Sequence, residues 1–114
     1  MAETDCIFCR IAAGSIPAGV VLRTDTALVF KDLAPQAPTH LLVIPTRHVD
    51  SLASDDDAQE LGHLMTLAAR AAREAGLEAD GYRVVTNVGE QGGQTVQHLH
   101  LHVLGGRHMH WPPG

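Results

Sequence analysis

The sequence has few aromatic residues, a single lysine and only two cysteines among its 114 residues. Aromatic residues make up 4% of the chain, and its formal net charge of −5 excludes the basic surface expected of a nucleic-acid-binding protein. It has no apolar run long enough for a transmembrane helix, and the acidic start MAETDCIFCR lacks the layout of a signal peptide. We therefore expect a cytoplasmic protein that binds neither nucleic acid nor membranes and has no structural disulfide.

The sequence does have short periodic segments separated by turn signals. DCIFCRIAA predicts a short helix that ends near Gly14, and residues 54–76 predict a long amphipathic helix with Ser54 as its N-cap and Gly76 just after its end. Apolar segments predict five strands, at residues 20–24, 27–32, 40–45, 82–88 and 96–104. The order strand-strand-strand-helix-strand-strand, with short connections, predicts an α+β fold with an antiparallel sheet, in a single domain over residues 1–114.

Histidine is unusually frequent: the chain has eight, and five of them fall between His98 and His110. In the segment QHLHLHVLGG, residues 97–106, histidine alternates with apolar residues. Alternate residues of a strand share one face, so His98, His100 and His102 are expected to project together while the intervening residues enter a core. Such a row is compatible with a solvated polar face, with a metal site, or with covalent catalysis by histidine.

The loop before this row is rich in glycine. In GEQGGQT, residues 89–95, backbone N–H groups can converge on an anion, although such a loop is also compatible with an ordinary turn. An anion cradle beside imidazoles suits phosphoryl or nucleotidyl transfer, which needs a positioned nucleophile and donors to the phosphate oxygens.

The two cysteines form a C-x-x-C motif, Cys6-Ile-Phe-Cys9. From these residues alone, the motif is compatible with a redox pair, a metal half-site or two small buried hydrophobic residues. The thioredoxin-like βαβ context of a redox pair is absent. A closed structural zinc site needs four sulfur or nitrogen ligands, so the cysteines would need two partners elsewhere in the chain.

Several segments together resemble the histidine-triad (HIT) family, and within it the Hint branch of nucleoside phosphoramidases. They are HLHLHV, DLAPQAPTHLLVIPTRH, GYRVVTNVGEQGGQTVQHLHLHVLGGR and the terminal MHWPPG, and the resemblance extends from Ile7 to Gly114. It implies the HIT fold, with a five-stranded antiparallel sheet, one long helix and a short N-terminal helix. It also implies a homodimer in which the two sheets join into one.

The resemblance assigns the chemistry to His100. This residue would attack the α-phosphorus of a purine nucleoside 5′-phosphoramidate, the amine would leave, and water would hydrolyse the nucleotidyl-histidine intermediate to AMP or GMP. His102 and His40 would donate to phosphate oxygens or orient the triad. Thr95, which stands where the Hint pattern usually has serine, would give a proton to the leaving amine.

The same resemblance implies the nucleotide pocket. Asp32 would accept from the ribose hydroxyls, and Trp111 would contact the leaving group of the other protomer. The remaining residues would wall the purine (Phe8, Ile11, Phe30 and Leu33) or line the ribose and phosphate side (Asn87, Gly93, Gln94 and Thr95).

A structural zinc is also implied, on Cys6, Cys9, His48 and His98, with no cofactor needed for the reaction. Three other functions remain open. They are a dinucleoside polyphosphate hydrolase of the Fhit type, a nucleotide-binding partner protein whose catalysis is incidental, and a zinc hydrolase with its metal on all three triad histidines. The WPPG terminus and the GGQT loop favour the Hint branch over the Fhit type.

Overall fold

The structure is a computed structural model that describes residues 5–114. One antiparallel sheet contains five strands in the order β1-β2-β3-β5-β4. The strands are β1 (Val20–Arg23), β2 (Ala27–Lys31), β3 (Thr39–Pro45), β4 (Tyr82–Val85) and β5 (Leu101–Gly105). The helices are α1 (Ile7–Ala12) and α2 (Ala58–Glu74). The predicted α+β class, antiparallel sheet and two helices are confirmed.

The two faces of the sheet bury different clusters because successive side chains of a strand point to opposite sides. Val29 and Val43 belong to the cluster that packs against α2, whereas Phe30 and Ile44 belong to the cluster that packs against α1. Leu64 of α2 is 1% exposed, and truncating such a leucine costs about 2–5 kcal/mol. The α2 face is therefore filled by apolar side chains, and the α1 face carries the histidines described below.

The start of α2 differs from the prediction. Ser54 is not its N-cap, since it lies in a preceding single turn of 3-10 helix, Leu52–Ser54. Asp57 caps α2 instead, because its side chain accepts the backbone N–H groups of Gln59 and Glu60 at 3.0 and 3.2 Å. Gly76, at φ 78°, follows the helix end as predicted.

The histidine segment also differs from a regular strand. β5 begins only at Leu101, because the Leu99 N–H donates to the Val49 carbonyl, 2.6 Å away, instead of joining the sheet. The alternation of faces persists without that pairing. Leu99 enters the α2-side cluster, and His98 contacts Phe8 of α1 with ring centroids 5.9 Å apart.

Within residues 5–114, no helix has both the length and the apolar character needed to cross a bilayer.

Candidate active site and metal site

Two cysteines and two histidines come together from three separate parts of the chain. Cys6 and Cys9 lie at the start of α1, His48 follows β3, and His98 precedes β5. One ligand atom from each of the four residues lies within 4.8 Å of the others. The Cys6 Sγ and His98 Nδ1 atoms are 3.3 Å apart, as are the Cys9 Sγ and His48 Nδ1 atoms. These are the four residues that the family resemblance implies as metal ligands.

In both His48 and His98, the ring nitrogen that faces away from the cluster makes a hydrogen bond that is compatible with a metal ion between the four ligands. His98 Nε2 lies 2.9 Å from the Pro45 carbonyl oxygen, which can only accept, so Nε2 carries the proton and Nδ1 keeps its lone pair. His48 Nε2 lies 2.9 Å from Asp50 Oδ1, with the same consequence. Burial also lowers the pKa of His98 and favours the neutral ring. Two thiols and two such nitrogens match the donor preference of zinc.

A second cluster contains Asp32, His40 and His102. The His40 Nε2 atom lies 2.9 Å from His102 Nδ1 and 3.4 Å from Asp32 Oδ2. The His40 Nδ1 atom accepts the Gln36 backbone N–H at 3.0 Å, so the neutral ring carries its proton on Nε2. That proton is then donated to His102 Nδ1, which leaves the His102 proton on Nε2.

His100 has the opposite arrangement to His98. Its Nδ1 donates to the His98 carbonyl at 2.7 Å, so Nε2 keeps a lone pair. The side chain is buried against the Phe8 ring at a centroid distance of 5.2 Å, and this burial lowers its pKa. Burial and the neighbouring His100 and His40 rings lower the pKa of His102 to about 4. Both rings are therefore neutral at pH 7, and His100 offers a nucleophilic nitrogen.

The glycine-rich loop is held by its own side chains. Gln94 accepts the Gly89 N–H at 3.0 Å and donates to the Asp50 carbonyl at 2.7 Å. Asn87 donates to the Gly92 carbonyl at 2.6 Å. A side chain at Gly92 would collide with the Val88 carbonyl oxygen, which explains glycine there. Thr95 is exposed directly after this braced turn.

The implied purine wall is only partly assembled in one chain. Phe8, Ile11 and Phe30 belong to one buried cluster, and the two phenylalanine rings meet edge to face at 5.5 Å. Leu33 is 89% exposed and Trp111 is 82% exposed, so neither packs against that cluster.

Two acceptors that orient the histidines of the Cys/His cluster were not predicted from the sequence. They are the Pro45 carbonyl and the Asp50 carboxylate. The Pro45 carbonyl carries no side-chain signal. Asp50 does carry one, since its spacing from His48 in His-x-Asp permits a carboxylate to orient a metal-binding imidazole.

Comparisons with known proteins identify the family of the chain. Residues 13–109 match the HIT domain family. An uncharacterized HIT-like protein of Synechocystis sp. is 48% identical over 116 residues, covering 100% of both chains, and one of Synechococcus elongatus is 48% identical over 112 residues, covering 96% and 97%. This chain belongs to the HIT domain family.

Solved structures show the same similarity. A HIT family hydrolase from Legionella pneumophila is 50% identical, with a TM-score of 0.93 over 96% of this chain and 100% of that one. A histidine triad protein from Clostridium difficile is 44% identical, with a TM-score of 0.90 over 95% and 96% of the two chains. The chain thus has the fold of HIT family hydrolases.

Proposed function

We propose that this HIT protein is a phosphoramidase of the Hint branch, which hydrolyses purine nucleoside 5′-phosphoramidates to the nucleoside monophosphate and an amine. The observation that carries the proposal is the orientation of His100. Its Nδ1 is tied to the His98 carbonyl at 2.7 Å, which leaves the Nε2 lone pair free beside His102. Such a nitrogen suits attack on phosphorus.

In the first step, His100 Nε2 forms a bond to the α-phosphorus and the P–N bond breaks. The bonding electrons go to the leaving nitrogen, which takes a proton from the Thr95 hydroxyl. In the second step, water attacks the phosphorus and gives one proton back to the Thr95 oxygen, the P–His100 bond breaks with its electron pair returning to His100 Nε2, and the monophosphate is released. The imidazole is again neutral at the end of the cycle.

The hydrogen-bonded pair His40 and His102 supplies the donor in both steps. The Gln36 N–H fixes the tautomer of His40, and His40 in turn leaves the His102 proton on Nε2. That N–H donates to a phosphate oxygen as charge develops on it. Burial lowers the pKa of His102 to about 4, so a phosphate oxygen meets a neutral hydrogen-bond donor there rather than a fixed positive charge.

The nucleotide roles follow the family resemblance. Asp32 binds the ribose hydroxyls, and the phosphate side is lined by Asn87, Gly93, Gln94 and Thr95. The buried residues Phe8, Ile11 and Phe30, together with the exposed Leu33, form the purine wall.

The exposure of Leu33 and Trp111 fits a homodimer, in which Trp111 contacts the leaving group in the partner's site. We further propose that residues 1–114 form one domain and that the protein is cytoplasmic.

Zinc has a structural role in this proposal. Cys6, Cys9, His48 and His98 would hold it, and the metal would tie the start of α1 to the segment that carries His100. No step of the reaction needs it.

The test is turnover of adenosine 5′-phosphoramidate bearing a fluorescent amine. We expect His100→Ala to lower kcat by at least about 10³-fold, because the covalent route is lost. The matched control is His63→Ala, which removes an imidazole from α2 on the opposite side of the sheet. Equal turnover by both variants would refute the role of His100. Hydrolysis of dinucleoside polyphosphates instead of the phosphoramidate would identify an Fhit-type enzyme.

A further inference from the structure

We propose that Arg83 and Arg107 form a subsite for an anionic group, a carboxylate or a phosphate, carried by the leaving amine. This inference rests on the proposed function and specifies which phosphoramidates the enzyme prefers. It starts from a cavity of about 480 Å³, which the two arginines line together with His40, His102 and Asn87.

The register of the sheet puts Arg83 on the same face as His102. Arg83 of β4 lies opposite Leu104 of β5, and Val85 lies opposite His102. Residues directly opposite each other in an antiparallel pair project to the same face, as do alternate residues of one strand. Alternate residues are about 6.6 Å apart along a strand, so Arg83 is one such step from the cross-strand neighbour of His102.

Backbone contacts hold both guanidinium groups in place. Arg107 donates to the Gln36 carbonyl at 3.0 Å, and the Gln36 N–H donates in turn to His40 Nδ1. Arg83 donates to the His110 carbonyl at 2.8 Å. A guanidinium has five N–H groups, so each arginine keeps further donors for a ligand in the cavity.

The positive charge of these two arginines is not neutralised by an ion pair. Within residues 5–114, neither guanidinium pairs with a carboxylate, whereas three other arginines do. No aspartate or glutamate is among the described residues that line the cavity. Even against the carboxylate of Gly114, which also lines it, two positive charges outnumber one negative charge. Since a guanidinium pairs with carboxylates and phosphates through parallel N–H bonds, an anion is the ligand that fits.

The cavity adjoins the phosphate side of the proposed site and not the purine side. His102 and Asn87, the proposed phosphate contacts, line it, whereas Phe8 and Phe30 of the purine wall do not. A nucleotide whose purine lies against those two rings directs the group on the far side of its phosphorus toward the cavity. That group is the leaving amine.

The preferred substrates are therefore purine nucleoside 5′-phosphoramidates of acidic amines, such as an amino acid joined through its nitrogen. The two reaction steps are those already described. The P–N bond breaks in the same way, and the amine departs with its acidic group. The arginines contribute binding and specificity and take no part in bond making.

The experiment compares three adenosine 5′-phosphoramidates that differ at the end of a two-carbon amine. The amines are β-alanine, with a carboxylate, phosphoethanolamine, with a phosphate, and the neutral β-alaninamide. In the wild type, kcat/KM for one of the acidic compounds should exceed that for the amide by at least about tenfold. The acidic compound with the larger ratio identifies which anionic group is bound. Arg83→Gln and Arg107→Gln should each lower that ratio by at least about threefold.

The control is Arg70→Gln, which removes the same charge from an exposed position on α2 and should leave the ratio unchanged. A ratio within one variant is insensitive to a general loss of activity, because the compared substrates share every other contact. A ratio near one in the wild type overturns the inference, as does a ratio that neither Arg83→Gln nor Arg107→Gln lowers.

Binding measured without turnover separates this inference from the proposed function. If the wild type hydrolysed none of the three compounds, the proposed function would fail, and calorimetry would then give the Kd of each compound. Tighter binding of an acidic compound than of the amide, lost in Arg83→Gln, would retain the subsite. Equal Kd values, or no binding of any compound, would overturn the subsite as well.

Discussion

His98 and His100 are two residues apart and on the same side of the sheet, yet opposite nitrogen atoms of the two rings keep their lone pairs. His98 is tied to the backbone through Nε2, so its Nδ1 faces the sulfur atoms of Cys6 and Cys9. His100 is tied through Nδ1, so its Nε2 remains available for a substrate. The two rings are both buried and both have lowered pKa values.

The difference shows that the backbone acceptor, rather than burial, decides which nitrogen of each imidazole keeps its lone pair. The Pro45 carbonyl selects one nitrogen of His98, and the carbonyl of His98 itself selects the other nitrogen of His100. A neutral imidazole has one donor and one acceptor, so fixing the donor decides which nitrogen can bind a metal or attack phosphorus. Metal support and covalent chemistry can thus share one short segment.

The largest effect should come from removing the metal. Relative to protein with zinc at about a thousand times its Kd, chelated protein should lose about 4 kcal/mol of unfolding free energy. Turnover should be unchanged at temperatures where both forms are folded, since no step of the proposed reaction uses the metal. Urea unfolding and phosphoramidate turnover measure the two quantities on the same samples.

The double variant Cys6→Ser/Cys9→Ser is the control for that experiment, because a chelator should have no further effect on it. If chelation abolished turnover and left stability unchanged, the metal would belong to the reaction, as in the zinc-hydrolase alternative.

A reciprocal pair of substitutions sharpens the comparison. His102→Ala should lower kcat/KM by roughly 100-fold through loss of a hydrogen-bond donor to the phosphate, while the zinc content of the Cys/His cluster stays the same. His48→Ala should do the reverse, losing zinc and keeping turnover in the folded protein. Metal analysis and steady-state kinetics on both variants test this. Loss of both properties in either variant would show that the two sites are not separable.

The sequence was a good guide to which residues meet. The C-x-x-C motif and the alternating histidines, read with the family resemblance, predicted the four residues that the structure brings together, Cys6, Cys9, His48 and His98. Periodicity likewise predicted the antiparallel sheet and both helices, because one-sided burial leaves a regular pattern in the chain.

The sequence was a poor guide to where elements begin. Ser54 and Asp57 are both good N-caps by residue type, and only the 3-10 turn that contains Ser54 decides between them. Residues 96–100 alternate between polar and apolar side chains like a strand, but they lie before the start of β5. The carbonyl of His100 accepts from the Thr86 hydroxyl at 2.8 Å instead of from a neighbouring strand. The sequence also does not predict which ring nitrogen of each histidine carries the proton. That choice depends on acceptors such as the Pro45 carbonyl, which lies 53 positions from His98.

A smaller effect is expected at the carboxylate behind the metal cluster. Asp50→Asn removes the charged acceptor of His48 Nε2, which lies 2.9 Å away, and should weaken zinc binding by about 10- to 100-fold. Competition with a chromophoric chelator gives the affinity. Asp56→Asn, an exposed change of the same charge at a residue outside the cluster, is the control and should leave the affinity unchanged. If both variants lowered the affinity equally, the effect would be one of general charge and not of imidazole orientation.

The smallest expected effect is at a pair of carboxyl groups, Asp55 and Glu60, where a buried acceptor lacks a donor and no metal is involved. Asp55 is buried, and when both it and Glu60 are ionised its Oδ2 is the one buried side-chain oxygen or nitrogen without a hydrogen-bond partner in the described part of the chain. Its neighbour Glu60 accepts from Arg47 at 2.8 Å. Burial, and then the nearby Asp55, raise the pKa of Glu60, whereas the hydrogen bond from Glu60 lowers the pKa of Asp55. A proton bound by the pair therefore resides on Glu60.

Glu60→Gln replaces the carboxyl group with an amide, whose N–H can donate to the Asp55 carboxylate at any pH. A carboxyl group whose pKa is raised on folding stabilises the protein below its unfolded pKa of about 4.3, and this contribution is lost as the pH rises through the folded pKa. At pH 7 the variant should exceed the wild type by about 1 kcal/mol in unfolding free energy, and the difference should shrink as the pH approaches 4. Urea unfolding at both pH values measures it. Glu74→Gln, which breaks the exposed pair with Arg70, should show no such trend, and a Glu60→Gln variant less stable than the wild type at pH 7 would show that the Arg47 ion pair outweighs the unmatched Asp55 oxygen.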